Sequence, residues 1–387
     1  MTTTPERAPR RPRSPRRSGP PRLLLIVIPL LLFGMPWWTL VGAPGWPATV
    51  TAAGTALAVL ALAGLPTLMV RGHGRRQSDV AARAGDLLLG VIWVAFTWSV
   101  LGLVADAVLA IAGAAAPRIV AVVVLAVVAV LVPYGLVEAR RVPRVQEVPV
   151  RIERLGPGLD GLRVAVVTDT HFGPIDRSRW SARVVEVVNG LRPDLVVHAG
   201  DLADGSVARR EAQVAPLADV HAPLGRYYIT GNHEYYAGAT EWVEHMRDLG
   251  WQPLVNEHRI LERAGDRLVL AGIDDPTGAG QEPGNGPDLP AALSGTDPAL
   301  PVLLLAHQPR QIVDAVAAGV DLQVSGHTHG GQIWPFHLLV RTDQPALAGL
   351  SRHGERTQLY VSRGTGFWGP PLRVFAPSEV TVLRLVR

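Results

Sequence analysis

Two hydrophobic patterns divide this chain. Up to about residue 138 the apolar residues come in four long runs, at Leu23–Val41, Ala48–Val70, Leu87–Ala112 and Ile119–Val137. Each reaches the roughly 20 residues a helix needs to cross a bilayer. Backbone in hydrocarbon must satisfy its own hydrogen bonds, so these runs predict about four transmembrane helices over residues 23–138. Beyond that point the apolar runs are short. They fall at Leu162–Thr168, Leu195–Ala199, Arg226–Thr230, Leu268–Ile273, Val302–Ala306, Leu322–Ser325, Leu359–Ser362 and Val380–Leu385. Helical patterns lie between several of them, at Ser181–Val188, Thr240–Leu249 and Gln311–Ala317. Buried strands alternating with helices predict an α/β or α+β domain with a largely buried sheet. Gly278–Pro290, rich in Gly, Pro and acid, reads as a surface loop.

The polar segments between the long runs set an orientation. The N-terminal arm, residues 1–22, holds seven Arg among Pro and Ser and cannot bury a core, so it is expected to be disordered. Arg71, Arg75, Arg76 and Arg83 lie between the second and third runs; Arg140, Arg141 and Arg144 follow the fourth. The short connections 42–47 and 113–117 carry no basic residue. By the positive-inside rule the arm, the middle loop and everything after residue 138 are cytoplasmic. The expected location is therefore the cell membrane, multi-pass, with residues 139–158 a basic juxtamembrane linker. A three-span arrangement would put the C-terminal domain on the other side. A cleaved leader is disfavoured because three further apolar runs follow the first and no small-x-small site does. Asp106, near the end of the third run, reads as interfacial rather than as part of a transport path.

Composition sharpens this division. The 387 residues carry a net charge of +4 at a pI near 9.9, which taken whole suggests a nucleic-acid binder. Located along the chain, the charge is +9 over residues 1–150 and −5 over 151–387. The positive charge is thus topological, the C-terminal half shows no basic stripe, and no nucleic-acid partner is expected. There is no cysteine, which excludes thiolate metal sites and cysteine nucleophiles.

What remains for chemistry is Asp, Asn and His, and these stand where the short runs end. The first runs into Asp169-Thr170-His171, the second into Gly200-Asp201, the third into Gly231-Asn232-His233-Glu234. A later one ends at His307, and another at Gly326-His327-Thr328-His329-Gly330-Gly331. Strand ends of a packed sheet converge on one edge. In an extended segment, residues two apart face the same way, so Asp-x-His and His-x-His can each grip one ion. Carboxylate, imidazole and amide oxygen suit Mn²⁺, Fe, Zn²⁺ or similar cations.

These five blocks, in this order, closely resemble the calcineurin-like metallophosphoesterases, over about Leu162 to the C-terminus. Gly326–Gln332 and Tyr360–Gly364 look closest to the family's membrane-associated bacterial members. The resemblance implies a four-layer αββα sandwich as catalytic domain, residues 159–387, and a site for two divalent metal ions. It implies that Asp169, His171 and His329 hold one ion, that Asn232, His307 and His327 hold the other, and that Asp201 bridges them. The expected reaction is hydrolysis of a phosphoester, phosphodiester or pyrophosphate by a hydroxide bridging two cations about 3.5–4 Å apart. His233 would contact the phosphate and protonate the leaving group.

Softer candidates surround this set. Arg363 could bind a substrate phosphate, since Arg matches phosphate bidentately, although a fold-supporting role is favoured. Glu234 could orient the Gly-Asn-His turn, and Asp275 could buttress the site. Trp334, Phe336, Phe367 and Trp368 are expected to pack against the sheet rather than line a groove. The basic linker would favour anionic headgroups, so a phosphorylated small molecule or lipid is the expected substrate. The competing reading is a membrane sensor or scaffold whose phosphoesterase domain binds ligand without turnover.

Overall fold

The computed structural model describes residues 22–281 and 285–387; the expected disordered arm, residues 1–22, lies almost wholly outside them. The chain opens with four helices, α1 (Arg22–Trp37), α2 (Ala48–His73), α3 (Asp79–Ile111) and α4 (Pro117–Arg140). Among the described residues, α2, α3 and α4 are long and apolar enough to cross a membrane, and a shorter apolar helix, Val27–Gly42, precedes them. The four apolar runs thus appear as three such helices and a shorter one among the described residues. The first run ends in a five-residue π turn, Trp38–Gly42, at a Trp-rich bend. Asp106 accepts from the backbone N–H of Ala116 and closes the α3–α4 turn.

The sheet domain begins earlier than its motifs suggest. Residues 144–151, expected within a linker, form β1 (Arg144–Arg151), which pairs in parallel with the last strand. Pro149 and four charged or amide side chains disguise it, and both are tolerated because β1 lies at a sheet edge. Then come β2 (Arg163–Val167), α5 (Ser178–Gly190), β3 (Leu195–Ala199), α6 (Val207–Val214), β4 (Arg226–Ile229), α7 (Asn232–Ala237) and α8 (Ala239–Asp248). The chain continues through β5 (Gln252–Pro253), β6 (Glu257–Arg263), β7 (Asp266–Gly272), α9 (Leu289–Ala292), β8 (Val302–Leu305), α10 (Ile312–Ala317) and β9 (Leu322–Ser325). It ends with α11 (His337–Val340), β10 (Gly349–Arg352), β11 (Gln358–Val361) and β12 (Glu379–Val386).

Two six-stranded sheets result, ordered β1-β12-β2-β3-β4-β5 and β10-β11-β9-β8-β7-β6. Their facing sides share one core, in which Val164, Val166 and Val197 meet Leu268, Leu303 and Leu322. The outer face of the first sheet is covered by α5, α6 and α8 through Val184, Val188, Val214 and Trp242. Ala292, Ile312 and Ala315 of α9 and α10 cover the second. This is the αββα layering, with strands buried on both faces and hence read as continuous apolar runs.

The helical bundle is not a detached anchor. Val94, Trp93 and Trp98 of α3 and Val128, Leu131 and Leu136 of α4 pack into one cluster with Ile333, Leu372 and Val374. Glycines allow the approach: a Cβ on Gly90 of α3 would lie 2.6 Å from Leu372, and one on Gly135 of α4 3.1 Å from Val374. Asp79, at the start of α3, pairs with Arg210 at 2.7 Å and with Arg209 at 3.2 Å.

Candidate metal centre

Parallel strands β2, β3 and β4 end side by side, as do β8 and β9 on the second sheet. Backbone bonds knit the loops that follow: the N–H of Asp169 donates to Gly200 O, that of His171 to Asp201 O, and that of Gly326 to His307 O. The five blocks therefore meet at one edge. Three overlapping groups form there: Asp169, His171 and His329; His171, Asp201 and His233; Asp201, His307 and His327. Within each group the ligand atoms lie within 4.8 Å of one another. His171 Nε2 is 3.1 Å from His329 Nε2, His307 Nε2 is 3.1 Å from Asp201 Oδ2, and His329 Nε2 is 3.5 Å from Asp169 Oδ1. Asn232 joins the last group, its Oδ1 2.9 Å from His327 Nδ1.

The backbone is bent to make this possible. Asp169, His171, Asp201, His327 and His329 all adopt positive φ, between 43° and 70°. Such conformations are uncommon outside glycine and concentrate at functional sites. Neighbouring glycines leave room for the carboxylates: a Cβ on Gly231 would fall 2.2 Å from Asp201 Oδ1, and one on Gly326 2.2 Å from Asp169 Oδ2.

The donor set fits divalent cations. His307 Nδ1 is tied to Ala199 O at 2.8 Å and His171 Nδ1 to Asp204 at 2.9 Å. Each then donates through Nδ1 and turns the lone pair of Nε2 inward. His307 Nε2 is buried with no hydrogen-bond donor of its own. Two imidazole nitrogens 3.1 Å apart beside two buried carboxylates leave a gap suited to a positive charge.

Charge is shared unevenly across the cluster. Burial pushes the Asp169 carboxyl up, with Asp201 adding to it. Burial opposes ionisation of Asp201 too, but His307, His233 and His171 together hold it well below the usual carboxylate range. Burial and His307 lower His327 to about 3. His233 goes the other way: burial lowers it, and Asp201 and Asp204 overcome that and raise it to about 9.

Sequence reasoning missed Asp204. Its Oδ1 is 2.7 Å from Nδ1 of His233 and 2.9 Å from Nδ1 of His171, so one carboxylate steadies both rings. It stands three residues after Asp201 in the same loop, which was the available signal. Arg373 was also missed. Fully buried, it reaches the carbonyls of Arg363, Gly366 and Ala376, and lies 3.3 Å from His329 Nδ1. Arg177 is buried behind the site, over Phe367 at 4.5 Å and Trp180 at 4.6 Å, and donates to the carbonyls of Thr170 and His171.

The softer candidates sort clearly. Glu234 is buried and accepts from the N–H groups of Gly231, Asp201 and Leu202 at 2.6, 3.1 and 2.7 Å, which locks the loops carrying Asp201 and Asn232 together. Asp275 accepts from Gln308 at 2.8 Å, next to His307, and from Thr277 N in its own turn. The Arg363 guanidinium pairs with Glu379 at 3.0 Å. The aromatics divide. Trp334 and Phe336 pack on Trp98 and Trp93 of the helical bundle. Phe367 packs on Arg177, while Trp368 stands half exposed 5.9 Å from His233. A cleft beside His171 and Asp204 is closed on its far side by Arg83 and Asp86 of α3.

An αββα sandwich with an Asp, Asn and His cluster at the joined strand ends defines a metallophosphoesterase. Residues 162–331 match the calcineurin-like phosphoesterases, and the chain belongs to that family. It is 41% identical over 268 residues to a "transmembrane protein with metallophosphoesterase domain" of Danio rerio, an alignment covering 67% of this chain and 61% of that protein. The chain thus spans about 61% of that relative's length. It is 31% identical over 247 residues to an uncharacterized metallophosphoesterase of Aquifex aeolicus, covering 62% of this chain and 91% of the relative. Among solved structures, a 5'-nucleotidase precursor from Thermus thermophilus superposes with a TM-score of 0.37 at 16% identity, over 58% of this chain and 54% of that one.

Proposed function

We propose that this chain is a membrane-anchored hydrolase of phosphoesters, phosphodiesters or pyrophosphates that works with two divalent cations, of the Mn, Fe or Zn type. The observation that carries the proposal is the overlap of the metal-competent groups, in which Asp201 and His171 each belong to two. Asp169, His171 and His329 would hold one cation and Asn232, His307 and His327 the other, with Asp201 available to both. When bound, the two cations supply Lewis acidity at the phosphoryl oxygens and lower the pKa of a water.

The remaining work falls to the chain. Asp204 holds His233 through Nδ1 and keeps the ring protonated, and Nε2 delivers its own proton to the departing oxygen. Glu234 and the strand-end glycines keep the ligand loops in place, so no reorganisation is needed when charge develops. Trp368 and Tyr236, at 5.9 and 5.5 Å from the His233 ring, line the approach to it. Arg363 stabilises the loop after β11 through Glu379, and phosphate contact by its exposed edge is a secondary role.

The arginines at residues 140, 141 and 144 support a cytoplasmic catalytic domain, and an anionic lipid phosphoester is the substrate class that fits a site held against the bilayer. The test is hydrolysis of bis-p-nitrophenyl phosphate by detergent-solubilised full-length protein with Mn²⁺. Turnover abolished by chelator and by Asp201→Ala is expected. Metal-independent turnover, or turnover unchanged in Asp201→Ala, would overturn the assignment, and phosphate binding with no turnover would favour a sensor.

A further inference from the structure

Beside the metal centre the sheet domain carries an apolar projection. The segment 333–340 leaves the last metal-binding block directly: Gly331 is two residues after His329, and a Cβ on it would lie 2.5 Å from His337 Cα. Backbone bonds join this segment to the 370–375 loop, Trp334 N donating to Val374 O at 3.1 Å. Gln332 ties both to the aromatic wall of the site, donating to Trp368 O and accepting from Trp368 N. At its tip, Leu338 is 59% exposed, Leu339 53% and Phe375 60%, with Phe336 beside them at 37%. Large apolar residues this exposed on two segments paired through Ile333 and Phe375 call for an apolar partner.

The helices show which partner. α3 has 33 residues, whereas about 20 suffice to cross hydrocarbon. Counted back from Ile111, next to the α3–α4 turn, about 20 residues end near Ile92. Counted forward from Pro117 along α4, they end near Leu136. Trp98 and Val128 lie inside those limits, by six and eight residues, about 9 and 12 Å along a helix. Yet Trp98 contacts Trp334 at 5.9 Å, and Val128 packs on the Ile333 and Val374 cluster. Trp93, at the boundary, meets Phe336 edge-on at 5.6 Å and donates to Ile333 O at 3.2 Å. With α3 and α4 crossing a bilayer over those residues, the projection lies alongside their hydrocarbon-spanning turns.

We propose that residues 333–340 together with Phe375 are immersed in the acyl region of the near leaflet, continuous with α3 and α4. The metal centre is thereby fixed at the lipid–water interface. The outer part of α3, residues 79–86, stands clear of the membrane, and Arg83 and Asp86 line the cleft beside His171 at headgroup level. Immersion rests on this packing together with α3 and α4 crossing the bilayer. Its consequence, that substrate reaches the metals from the membrane surface, rests on the hydrolase reading above.

A chain without cysteine permits a test that does not depend on activity. Leu339→Cys in the full-length protein is labelled with an environment-sensitive fluorophore and reconstituted into phosphatidylcholine–phosphatidylglycerol vesicles. Asp248→Cys, on the exposed face of α8, is the aqueous reference. The label at 339 is expected to be blue-shifted, quenched by doxyl-labelled lipid, and shielded from iodide about fivefold relative to 248. Iodide quenching at 339 equal to that at 248, with no quenching by doxyl lipid, overturns the proposal. Phe375→Cys, read in the same way, decides the matter if Leu339→Cys does not fold.

Discussion

Asp204 Oδ1 lies 2.7 Å from Nδ1 of His233, and the same oxygen lies 2.9 Å from Nδ1 of His171. One carboxylate thus couples a proposed metal ligand to the residue proposed for proton delivery. Removing its charge should loosen both. For Asp204→Asn we expect kcat on an alkyl phosphodiester to fall by about 10–100-fold, the range for loss of a partner behind a metal-binding histidine. The fall should be smaller on bis-p-nitrophenyl phosphate, whose leaving group needs little protonation. Equal losses on the two substrates would remove His233 from the protonation step.

Glu234 is buried beneath the loops and accepts from several backbone N–H groups. Glu234→Gln turns one acceptor into a donor that faces N–H groups. The expected cost is about 1–3 kcal/mol of stability, seen as a lower denaturant midpoint of the reconstituted protein. An unchanged midpoint would mean that the loops hold together without it.

Gly231 marks where backbone and carboxylate crowd. Its added Cβ would sit 2.2 Å from Asp201 Oδ1, so Gly231→Ala must displace the shared carboxylate. A displacement near 1 Å costs on the order of 100-fold in rate, and the expected signature is that loss with a normal unfolding transition. Activity within a fewfold of the parent would show that Asp201 tolerates displacement.

Arg363 has its guanidinium on Glu379, which is almost fully buried. Arg363→Ala should lower thermal stability while leaving KM for the diester within about twofold, since truncating one partner strands the other charge. A large rise in KM with unchanged stability would return Arg363 to the phosphate.

Much of the catalytic half was legible because its chemistry is local. Each ligand block closes a buried strand, and a buried strand writes a continuous apolar run; β3 and β9 have the bounds their runs suggest. What escaped depends on contacts far apart in sequence. β1 is an edge strand with mixed polarity, and only pairing with β12, over 200 residues away, identifies it. Asp204 sits in a loop, where spacing no longer dictates facing. Trp334 and Phe336 were expected on the sheet because they flank the last ligand block; their neighbours in space include Trp98 and Trp93. The helical runs announced spans, but the glycines at 90 and 135 that let the two halves meet carry no apolar signal of their own.

The central claim is a site for two cations acting together. It is tested most directly by stripping the full-length protein with chelator and titrating Mn²⁺ back, following bound metal and diester hydrolysis in the same samples. The account predicts binding of two ions per chain, with turnover rising until the second is bound and absent in Asp201→Ala. Full turnover in the stripped protein, or turnover already maximal at one ion per chain, would contradict it.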